Sequence, residues 1–299
     1  MIVMKANDNE ASTWRQLVDE TSDLLGDRNE ARWLCEEASG LYGAEFLDEL
    51  DEPATQRMGI ALQNMVGRRL AGEPVQYVLG HWPFRHIDLL VDPRVLIPRP
   101  ETEEVAGAAI ERAREMRAAK VDTAAVLRIA DLGTGSGAIG LAMANELPNT
   151  GVEVWITDVS SEALDVARAN IAGIGRNAAN VRVAMGSWCS ALPAELRGAF
   201  DVIVANPPYI AVGDTELETA VSKHEPHAAL FANNNGLADI FAVAAQSREW
   251  LAQHGWLVIE IGHRQGSAVR TELEHLGYVE IEIRADLAGR DRIVIAKRS

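Results

Sequence analysis

Apolar residues recur at spacings of three and four along the first part of the chain, which is the pattern of amphipathic helices. Thr13 is placed to cap a helix that ends at Gly26, and a second helix fits residues 29–39. Pro53 marks the start of a third helix, which ends before Gly72. These helices predict a small bundle in the N-terminal part of the chain.

The pattern changes after residue 72. Residues 82–84 and 87–91 predict the two strands of a β-hairpin, and the prolines that follow predict turns up to Pro100. We therefore expect a helical domain over residues 1–80, a β-hairpin linker over residues 81–100 and a larger domain over residues 101–299.

Helix and strand patterns alternate through this larger domain. The predicted helices cover residues 102–119, 138–147, 161–172, 237–253 and 265–276. The predicted strands cover residues 126–130, 152–157, 181–185, 202–205, 256–260, 278–283 and 293–296. Such alternation is typical of the α/β class and predicts a doubly wound, mostly parallel, seven-stranded sheet wrapped by helices. A short loop around Gly289 joins the last two strands, which favours an antiparallel pair at the sheet edge.

Composition and charge narrow the class of protein. The 299 residues are 47% hydrophobic and 24% charged, as in folded globular chains. No uncharged apolar stretch reaches the roughly 18 residues of a membrane helix, and the first residues lack the apolar core of a signal peptide, so we expect a cytoplasmic protein without membrane contact. The net charge of −16 disfavours binding to phosphate backbones, and we expect no sequence-specific nucleic acid partner. Cys35 and Cys189 are isolated, so neither a disulfide nor a metal site is expected.

The first chemical signal is a glycine-rich turn between the strand at residues 126–130 and the following helix. Its residues include Asp131, Gly133, Thr134, Gly135, Ser136 and Gly137. Glycines let the backbone turn with positive φ and approach a ligand closely, so we predict a nucleotide-like cofactor. The cofactor class stays open, because residues 135–140 also satisfy the dinucleotide motif G-x-G-x-x-G. Asp158, at the end of the next strand, is placed to accept hydrogen bonds from ribose hydroxyls in either class.

Asp131 has two interpretations. A carboxylate beside the glycine turn would repel a pyrophosphate but attract the sulfonium and ammonium groups of S-adenosylmethionine. Alternatively, Asp131 only accepts hydrogen bonds from backbone amides of the turn.

The second signal is the loop after the apolar strand at residues 202–205, which reads Asn206, Pro207, Pro208 and Tyr209. Two prolines fix φ and remove backbone donors, so the loop is stiff and its carbonyl oxygens remain available as acceptors. In a doubly wound sheet the first and fourth strands are neighbours, so we expect this loop and the glycine turn to face one crevice. There the Asn206 side-chain carbonyl and the Pro207 main-chain carbonyl can accept both N–H bonds of a planar amide or amino group, with Tyr209 packed against its face.

Together, residues 131–137 and 206–209 resemble the class I S-adenosylmethionine-dependent methyltransferases that alkylate planar nitrogens. Further motifs resemble more narrowly the peptide chain release factor glutamine methyltransferases, and the resemblance extends over nearly the whole chain. These motifs lie at residues 72–77, 79–80, 96–103, 225–226 and 236–239.

The resemblance implies methyl transfer from S-adenosylmethionine to the N5 nitrogen of the glutamine in the Gly-Gly-Gln motif of class 1 release factors. It implies that the glycine turn holds the methionine and ribose parts of the cofactor, that Asp158 binds the ribose and that Trp188 lies near the adenine or the sulfonium. The implied cofactor-binding residues are Asp131, Gly133, Thr134, Gly135, Ser136, Gly137, Asp158, Trp188 and Asn206. The implied substrate-binding residues are Asn206, Pro207, Pro208 and Tyr209, of which Asn206, Pro207 and Tyr209 act in catalysis by orienting the amide. We expect no His, Asp or Glu general base.

Other functions remain open. The same chemistry on an adenine amino group would require a basic target-recognition region and base flipping, whereas residues 1–90 carry 16 acidic and 8 basic residues. Methylation of a different glutamine, such as one in a ribosomal protein, fits the same motifs. A cofactor-binding or scaffolding domain without catalysis is a further alternative. NAD-dependent oxidoreduction fits the glycines but explains neither Asn206 nor Tyr209.

Overall fold

The computed structural model describes residues 12–120, 125–211 and 224–299, and its contacts divide the chain into two units, residues 1–80 and residues 81–299. The described residues of the first unit form a group of helices. These are α1 (Trp14–Leu25), α2 (Arg28–Ser39), α3 (Ala44–Asp48), α4 (Gln56–Leu70) and α5 (Val75–Leu79).

Local hydrogen bonds determine where these helices begin and end. Thr13 and Gln16 form a capping box at the start of α1, and the helix ends at Gly26 in the left-handed conformation, as the sequence predicts. The prediction that the third long helix starts at Pro53 is wrong. The Thr55 side chain caps α4 by accepting a hydrogen bond from Met58 N, whereas Pro53 lies before the helix and offers no side-chain acceptor.

The first unit also contains α3, a short helix that the hydrophobic pattern does not predict. Phe46 is fully buried and meets the Trp14 ring edge-on at a centroid distance of 5.7 Å, whereas Glu45 and Asp48 are exposed. The acidic residues of this segment therefore form a solvated face over an apolar core that includes Leu34 and Leu62.

The second unit opens with an antiparallel hairpin of β1 (His81–Phe84) and β2 (Ile87–Leu90), close to the predicted bounds. Its helices are α6 (Pro100–Ala119), α7 (Ala138–Glu146), α8 (Ser161–Ile174), α9 (Ala238–Trp250) and α10 (Gly266–His275). Its other strands are β3 (Leu127–Leu132), β4 (Val152–Asp158), β5 (Val181–Met185), β6 (Phe200–Ala205), β7 (Ile210–Ala211), β8 (Phe231–Ala232), β9 (Leu251–Glu260), β10 (Tyr278–Ala285) and β11 (Asp291–Arg298). Short turns of 3-10 helix lie at Gly175–Ala178, Trp188–Ala191, Ala194–Leu196 and His227–Ala229, and a further turn lies at Asn233–Gly236.

Among the described residues, seven strands form the main sheet in the order β10-β11-β9-β6-β3-β4-β5. All neighbours are parallel except that β11 runs antiparallel to both β9 and β10. The predicted α/β class and doubly wound, mostly parallel sheet are therefore confirmed. Within residues 12–120, 125–211 and 224–299, none of the helices combines the length and the apolar composition of a membrane span.

Helix α9 is shorter and β9 longer than the sequence predicts. Leu251 already pairs with Phe200, and a register shift follows before Trp256 pairs with Val202. His254, between them, has a φ of 63°. Pairing with β6 ends the helix at Trp250, because tertiary pairing overrides the helical pattern of residues 251–253.

Strand register aligns the carboxyl ends of four neighbouring strands. Leu132 lies opposite both Thr157 and Ala205, and Ala205 lies opposite Ile259. The residues that directly follow these four paired residues therefore lie in one row across the ends of β9, β6, β3 and β4. They are Glu260, Asn206, Gly133 and Asp158. The switch point of the sheet lies between β3 and β6, where doubly wound proteins bind ligands.

Alternation along the strands assigns side chains to the two faces of the sheet. Leu132, Ala205 and Ile259 belong to one apolar cluster together with Val243 of α9 and Val269 of α10. Because side chains alternate along a strand, Asp131 and Glu260 point to the opposite face. There Asp131 contacts α7 and Glu260 contacts α6, through the hydrogen bonds described below.

Gly140 lies where α7 crosses the sheet. A Cβ at this position would lie 2.4 Å from Ile156 Cγ2 and 3.1 Å from Asp131 Oδ2. We expect Gly140→Ala to lower the free energy of unfolding by about 1–3 kcal/mol, the usual range for overpacking. Gly173→Ala in α8 is the control, because its Cβ would meet nothing within 4 Å and alanine favours helix. Urea unfolding measures both variants, and a Gly140→Ala protein as stable as the control would contradict the close packing.

Candidate functional site

A cavity of about 380 Å³ opens at the carboxyl ends of the parallel strands, within the second unit. Its volume lies in the range of about 300–1,000 Å³ that small-molecule sites occupy. Most of the predicted site residues line it, namely Asp131, Gly133, Thr134, Gly135, Ser136, Asp158, Trp188, Asn206 and Pro208. The glycine turn and the loop at residues 206–209 therefore face one cavity. Gly137, Pro207 and Tyr209 adjoin lining residues in sequence but are not part of the wall. The roles of all these site residues stay predictions.

The glycine turn has the backbone geometry that only glycine adopts cheaply. Gly133, Gly135 and Gly137 have φ values of 72°, 56° and 91°. A Cβ on Gly133 would lie 3.0 Å from Cζ3 of the Trp188 ring. Trp188 is partly buried: its indole packs against the core cluster, lies close to the Gly133 backbone and lines the cavity.

Asp131 is buried beneath the turn. Its Oδ2 accepts hydrogen bonds from Thr134 Oγ1 at 2.5 Å and from Gly140 N at 2.8 Å. Burial raises the pKa of Asp131 to about 6, although both hydrogen bonds act to lower it. The second interpretation expects bonds from backbone amides of the turn, whereas these two hydrogen bonds come from the Thr134 hydroxyl and from the amide of Gly140 in α7. The same residue also reaches the cavity wall.

Asp158 stabilises the turn from the neighbouring strand. Its Oδ2 accepts a hydrogen bond from Gly135 N at 2.9 Å, and its Oδ1 accepts one from Ser160 N at 2.9 Å. The Ser160 side chain in turn caps α8. The carboxylate thus lies at the cavity wall, and each of its two oxygens accepts a hydrogen bond from a backbone amide. Each oxygen retains a further acceptor site.

Negative charge predominates at the cavity wall. The acidic residues there are Asp131, Asp158, Glu162 and Asp239. Among the described residues of the wall, Arg94 supplies the one positive charge, and its guanidinium pairs with Asp92 at 2.5 Å. Burial raises the pKa of Asp239. Such a field favours a ligand that carries positive charge.

Glu225 joins two segments that line the cavity. Its Oε2 accepts a hydrogen bond from Ile97 N at 3.1 Å, and its Oε1 pairs with the Arg99 guanidinium at 2.5 Å. Leu96 and Pro226, adjacent to these contacts, lie at the wall. These hydrogen bonds join residues 128 and 126 positions apart in sequence. They bring the motifs at residues 96–103 and 225–226 together in space.

Asn206 and Tyr209 are held from beneath by Glu260. Asn206 Nδ2 donates to Thr102 Oγ1 at 3.2 Å, and the Thr102 hydroxyl donates to Glu260 Oε2 at 2.7 Å. The Tyr209 hydroxyl donates to Glu260 Oε1 at 3.1 Å. Burial raises the pKa of Glu260 to about 7, with the two hydrogen bonds opposing the shift. Burial also raises the pKa of Tyr209.

Gln265 and Gly236 contact the backbone of the loop at residues 206–209. Gln265 Nε2 donates to the Tyr209 carbonyl at 3.1 Å, while Gln265 Oε1 accepts from Gly262 N at 2.8 Å. Gly236 lies so close that a Cβ there would fall 2.1 Å from the Tyr209 carbonyl oxygen. Its φ of 80° also excludes most side chains. Gly236 is therefore required for the approach of the turn at Asn233–Gly236 to the loop.

Sequence reasoning assigned no role to Thr102, Glu260 or Gln265. One signal was present: Glu260 is an acidic residue at the end of an apolar strand, and the carboxyl ends of parallel strands form the ligand edge. Thr102 lies within a motif that carries the family resemblance, but nothing in its local sequence indicates a contact with residue 206. Those partners are brought together only by packing of α6 on the sheet.

Comparison with known proteins agrees with this architecture. The family model of the Methyltransferase small domain matches residues 108–259, and that of the PrmC N-terminal domain matches residues 13–80. The Release factor glutamine methyltransferase of Vibrio cholerae serotype O1 is 40% identical over 237 residues, covering 79% of this chain and 78% of the relative. The protein of the same name from Bordetella pertussis is 40% identical over 275 residues, covering 91% of this chain and 96% of the relative.

Among solved structures, the hMettl16 catalytic domain in complex with the MAT2A 3'UTR hairpin 1 shares the fold. It matches with a TM-score of 0.54 at 14% identity, covering 89% of this chain and 90% of that chain.

Proposed function

The chain belongs to the family of release factor glutamine methyltransferases, and we propose that it methylates the side-chain amide nitrogen (N5) of the glutamine in the Gly-Gly-Gln motif of class 1 peptide chain release factors, with S-adenosylmethionine as methyl donor. The observation that carries this proposal is that the glycine turn and the loop at residues 206–209 face one cavity, since a methyl donor and an acceptor amide must be adjacent for transfer.

The residues of the cavity fit this cofactor. When bound, S-adenosylmethionine supplies an electrophilic methyl group on a positively charged sulfur. The acidic wall favours that charge, and the glycine backbone between Gly133 and Gly137 leaves room for close approach. Asp158 retains acceptor sites for the ribose hydroxyls, and the Trp188 ring offers an apolar face for the adenine or the sulfonium.

The loop at residues 206–209 would orient the glutamine side chain. An amide nitrogen is a weak nucleophile because its lone pair is delocalised into the carbonyl group. Asn206 Oδ1 and the Pro207 carbonyl oxygen would accept its two N–H bonds and stabilise the positive charge that develops on nitrogen during transfer. Tyr209 would limit the position of the amide plane. The nitrogen becomes acidic after transfer and loses its proton to water, so no general base is required.

We further propose that residues 1–80 dock the release factor, that the hairpin region at residues 81–100 links them to the remainder, and that residues 101–299 carry the chemistry. The negative charge of the first ninety residues supports a protein partner over a nucleic acid partner. The reaction would take place in the cytoplasm, because translation terminates there.

Gly133→Ala tests the cofactor site. We expect it to weaken binding of S-adenosylhomocysteine by at least about tenfold, because its Cβ would displace the Trp188 ring from the cavity wall. Gly26→Ala is the control: its φ of 73° matches the 72° of Gly133, but a Cβ there meets nothing within 4 Å. Calorimetric titration measures the affinity of both variants for S-adenosylhomocysteine. Equal affinities would contradict a role for the Gly133 backbone in cofactor binding.

Transfer of radioactive methyl from S-adenosylmethionine tests the function as a whole. Purified release factor, ribosomal protein and adenine-containing RNA and DNA would be offered separately to the full-length protein. Label is expected in the release factor alone, and mass spectrometry is expected to place one methyl group on the Gly-Gly-Gln glutamine. Label in RNA, in DNA or in ribosomal protein would favour the corresponding alternative, and no label in any acceptor would favour a binding domain. Calorimetric titration with NAD tests the alternative of NAD-dependent oxidoreduction. Tight binding of NAD would favour that alternative.

A further inference from the structure

A buried chain of hydrogen bonds connects Glu260 to Asn206 through Thr102. Glu260 is 1% exposed and Thr102 is 4% exposed. Glu260 Oε2 lies 2.7 Å from Thr102 Oγ1, which lies 3.2 Å from Asn206 Nδ2. Neighbouring strand ends bring Glu260 and Asn206 into one row, and the first turn of α6 brings Thr102 between them.

The hydrogen-bond chain runs from donor to acceptor in one direction, from Asn206 through Thr102 to Glu260. A hydroxyl group has one proton to donate, and an ionised carboxylate accepts only. Ionised Glu260 therefore accepts a hydrogen bond from the Thr102 hydroxyl, and the Thr102 oxygen can only accept one from Asn206. Asn206 must then turn its NH₂ group towards Thr102, which leaves Oδ1 as the acceptor on the other side of the amide.

We propose that Glu260 and Thr102 are positioning residues that hold the Asn206 amide in the orientation in which Oδ1 accepts a hydrogen bond from the substrate carboxamide. This inference rests on the proposed function. It gives a reason for preferring glutamine over glutamate at the acceptor position. A glutamine NH₂ donates to Oδ1, whereas a glutamate carboxylate would meet a second acceptor and be repelled.

The groups around Glu260 determine when this direction holds. Tyr209 donates to its other oxygen, and Arg292, itself paired with Asp286, favours the ionised form. Burial, which is the largest effect, and Glu101 oppose ionisation, and the balance with the groups that favour ionisation leaves the Glu260 pKa at about 7. A protonated Glu260 can donate a hydrogen bond to the Thr102 oxygen. The Thr102 hydroxyl can then donate its own hydrogen bond to Asn206 Oδ1. The Asn206 amide then has no preferred orientation.

The pH dependence of kcat for the full-length protein tests this inference, with saturating S-adenosylmethionine and a Gly-Gly-Gln release factor as substrates. Wild-type kcat is expected to rise with pH through a midpoint near 7, where Glu260 ionises. Glu260→Gln cannot ionise. Its kcat at pH 8 is expected to fall by about tenfold or more, because its amide can face Thr102 with either end. No limb with a midpoint near 7 is therefore expected in this variant.

The control is Glu249→Gln in α9, whose side chain is 62% exposed and pairs with Arg197. It should keep the wild-type profile. An unchanged midpoint in Glu260→Gln would overturn the inference. Failure of the wild-type protein to methylate the release factor would instead overturn the proposed function, so the two failures are distinguishable.

A second pair of variants tests the middle of the chain. Thr102→Val keeps the shape of the side chain and removes the hydroxyl, and it is expected to lower kcat by about 100-fold. Thr102→Ser retains a hydroxyl and is expected to recover most of that loss. Circular dichroism and urea unfolding check that both variants fold. Equal kcat in folded Thr102→Val and Thr102→Ser would show that the hydroxyl has no positioning role and would overturn the inference.

Discussion

Replacing Asn206 with alanine is expected to lower turnover by about 10²–10³-fold, the range found when one positioning donor or acceptor is removed from an active site. The side chain lies at the cavity wall, and its Nδ2 is already bonded to Thr102. Its Oδ1 is therefore the group that remains for the substrate. Affinity for S-adenosylhomocysteine should be largely retained, because the glycine turn and Asp158, which form most of the proposed cofactor site, are unchanged.

Single-turnover methylation of release factor, together with calorimetric titration of S-adenosylhomocysteine, measures the two quantities separately. Asn149→Ala is a matched control, because Asn149 is an exposed asparagine whose amide bonds to the Arg176 carbonyl, and it is not a cavity residue. Wild-type turnover in Asn206→Ala would remove the basis of the assigned role.

Gly236→Ala is expected to reduce turnover by about 100-fold or more, although Gly236 itself does not line the cavity. A Cβ there would lie 2.1 Å from the Tyr209 carbonyl oxygen and 2.8 Å from Gln265 Nε2. The backbone of the loop at residues 206–209 must then move, and misplacement by about 1 Å is enough to cost about 10² in rate.

Gly289→Ala separates backbone strain from the steric clash. Gly289 has a φ of 75°, close to the 80° of Gly236, but a Cβ at this position would meet nothing within 4 Å. Each variant should lose about 1–2 kcal/mol of stability from the left-handed conformation, whereas only Gly236→Ala should lose turnover. Steady-state kinetics and urea unfolding compare them. Similar turnover in both variants would show that the loop tolerates displacement.

Much of the fold follows from local sequence. The capping box at Thr13 and the glycine at residue 26 define α1, and the alternation of strands and helices after residue 100 predicts the doubly wound sheet. The rule that parallel strands bring their carboxyl ends together also places Gly133 beside Asn206, because the two residues follow neighbouring strands.

The sequence does not reveal how the site is supported. The hydrogen bond between Thr102 and Glu260 joins residues 158 positions apart, and it depends on how α6 packs on the sheet. The Asp131 carboxylate illustrates the same difficulty. Its neighbours in sequence permit either a ligand contact or a backbone contact, and only the position of Gly140 in α7 shows that the backbone contact is made.

The start of α4 was missed for a different reason. Proline and threonine both favour helix starts, and Pro53 and Thr55 are two residues apart. The side-chain hydrogen bond from Met58 N to Thr55 decides between them, and composition alone contains no such contact.

We propose that the loop at residues 206–209 holds a side-chain carboxamide beside the cofactor. A crystal structure of the full-length protein with S-adenosylhomocysteine and a Gly-Gly-Gln peptide would show whether it does. The glutamine nitrogen is expected within hydrogen-bond distance of Asn206 Oδ1 and the Pro207 carbonyl oxygen, with the cofactor sulfur adjacent to it. A peptide glutamine bound away from Asn206, or a cofactor bound away from Gly133, would contradict this arrangement.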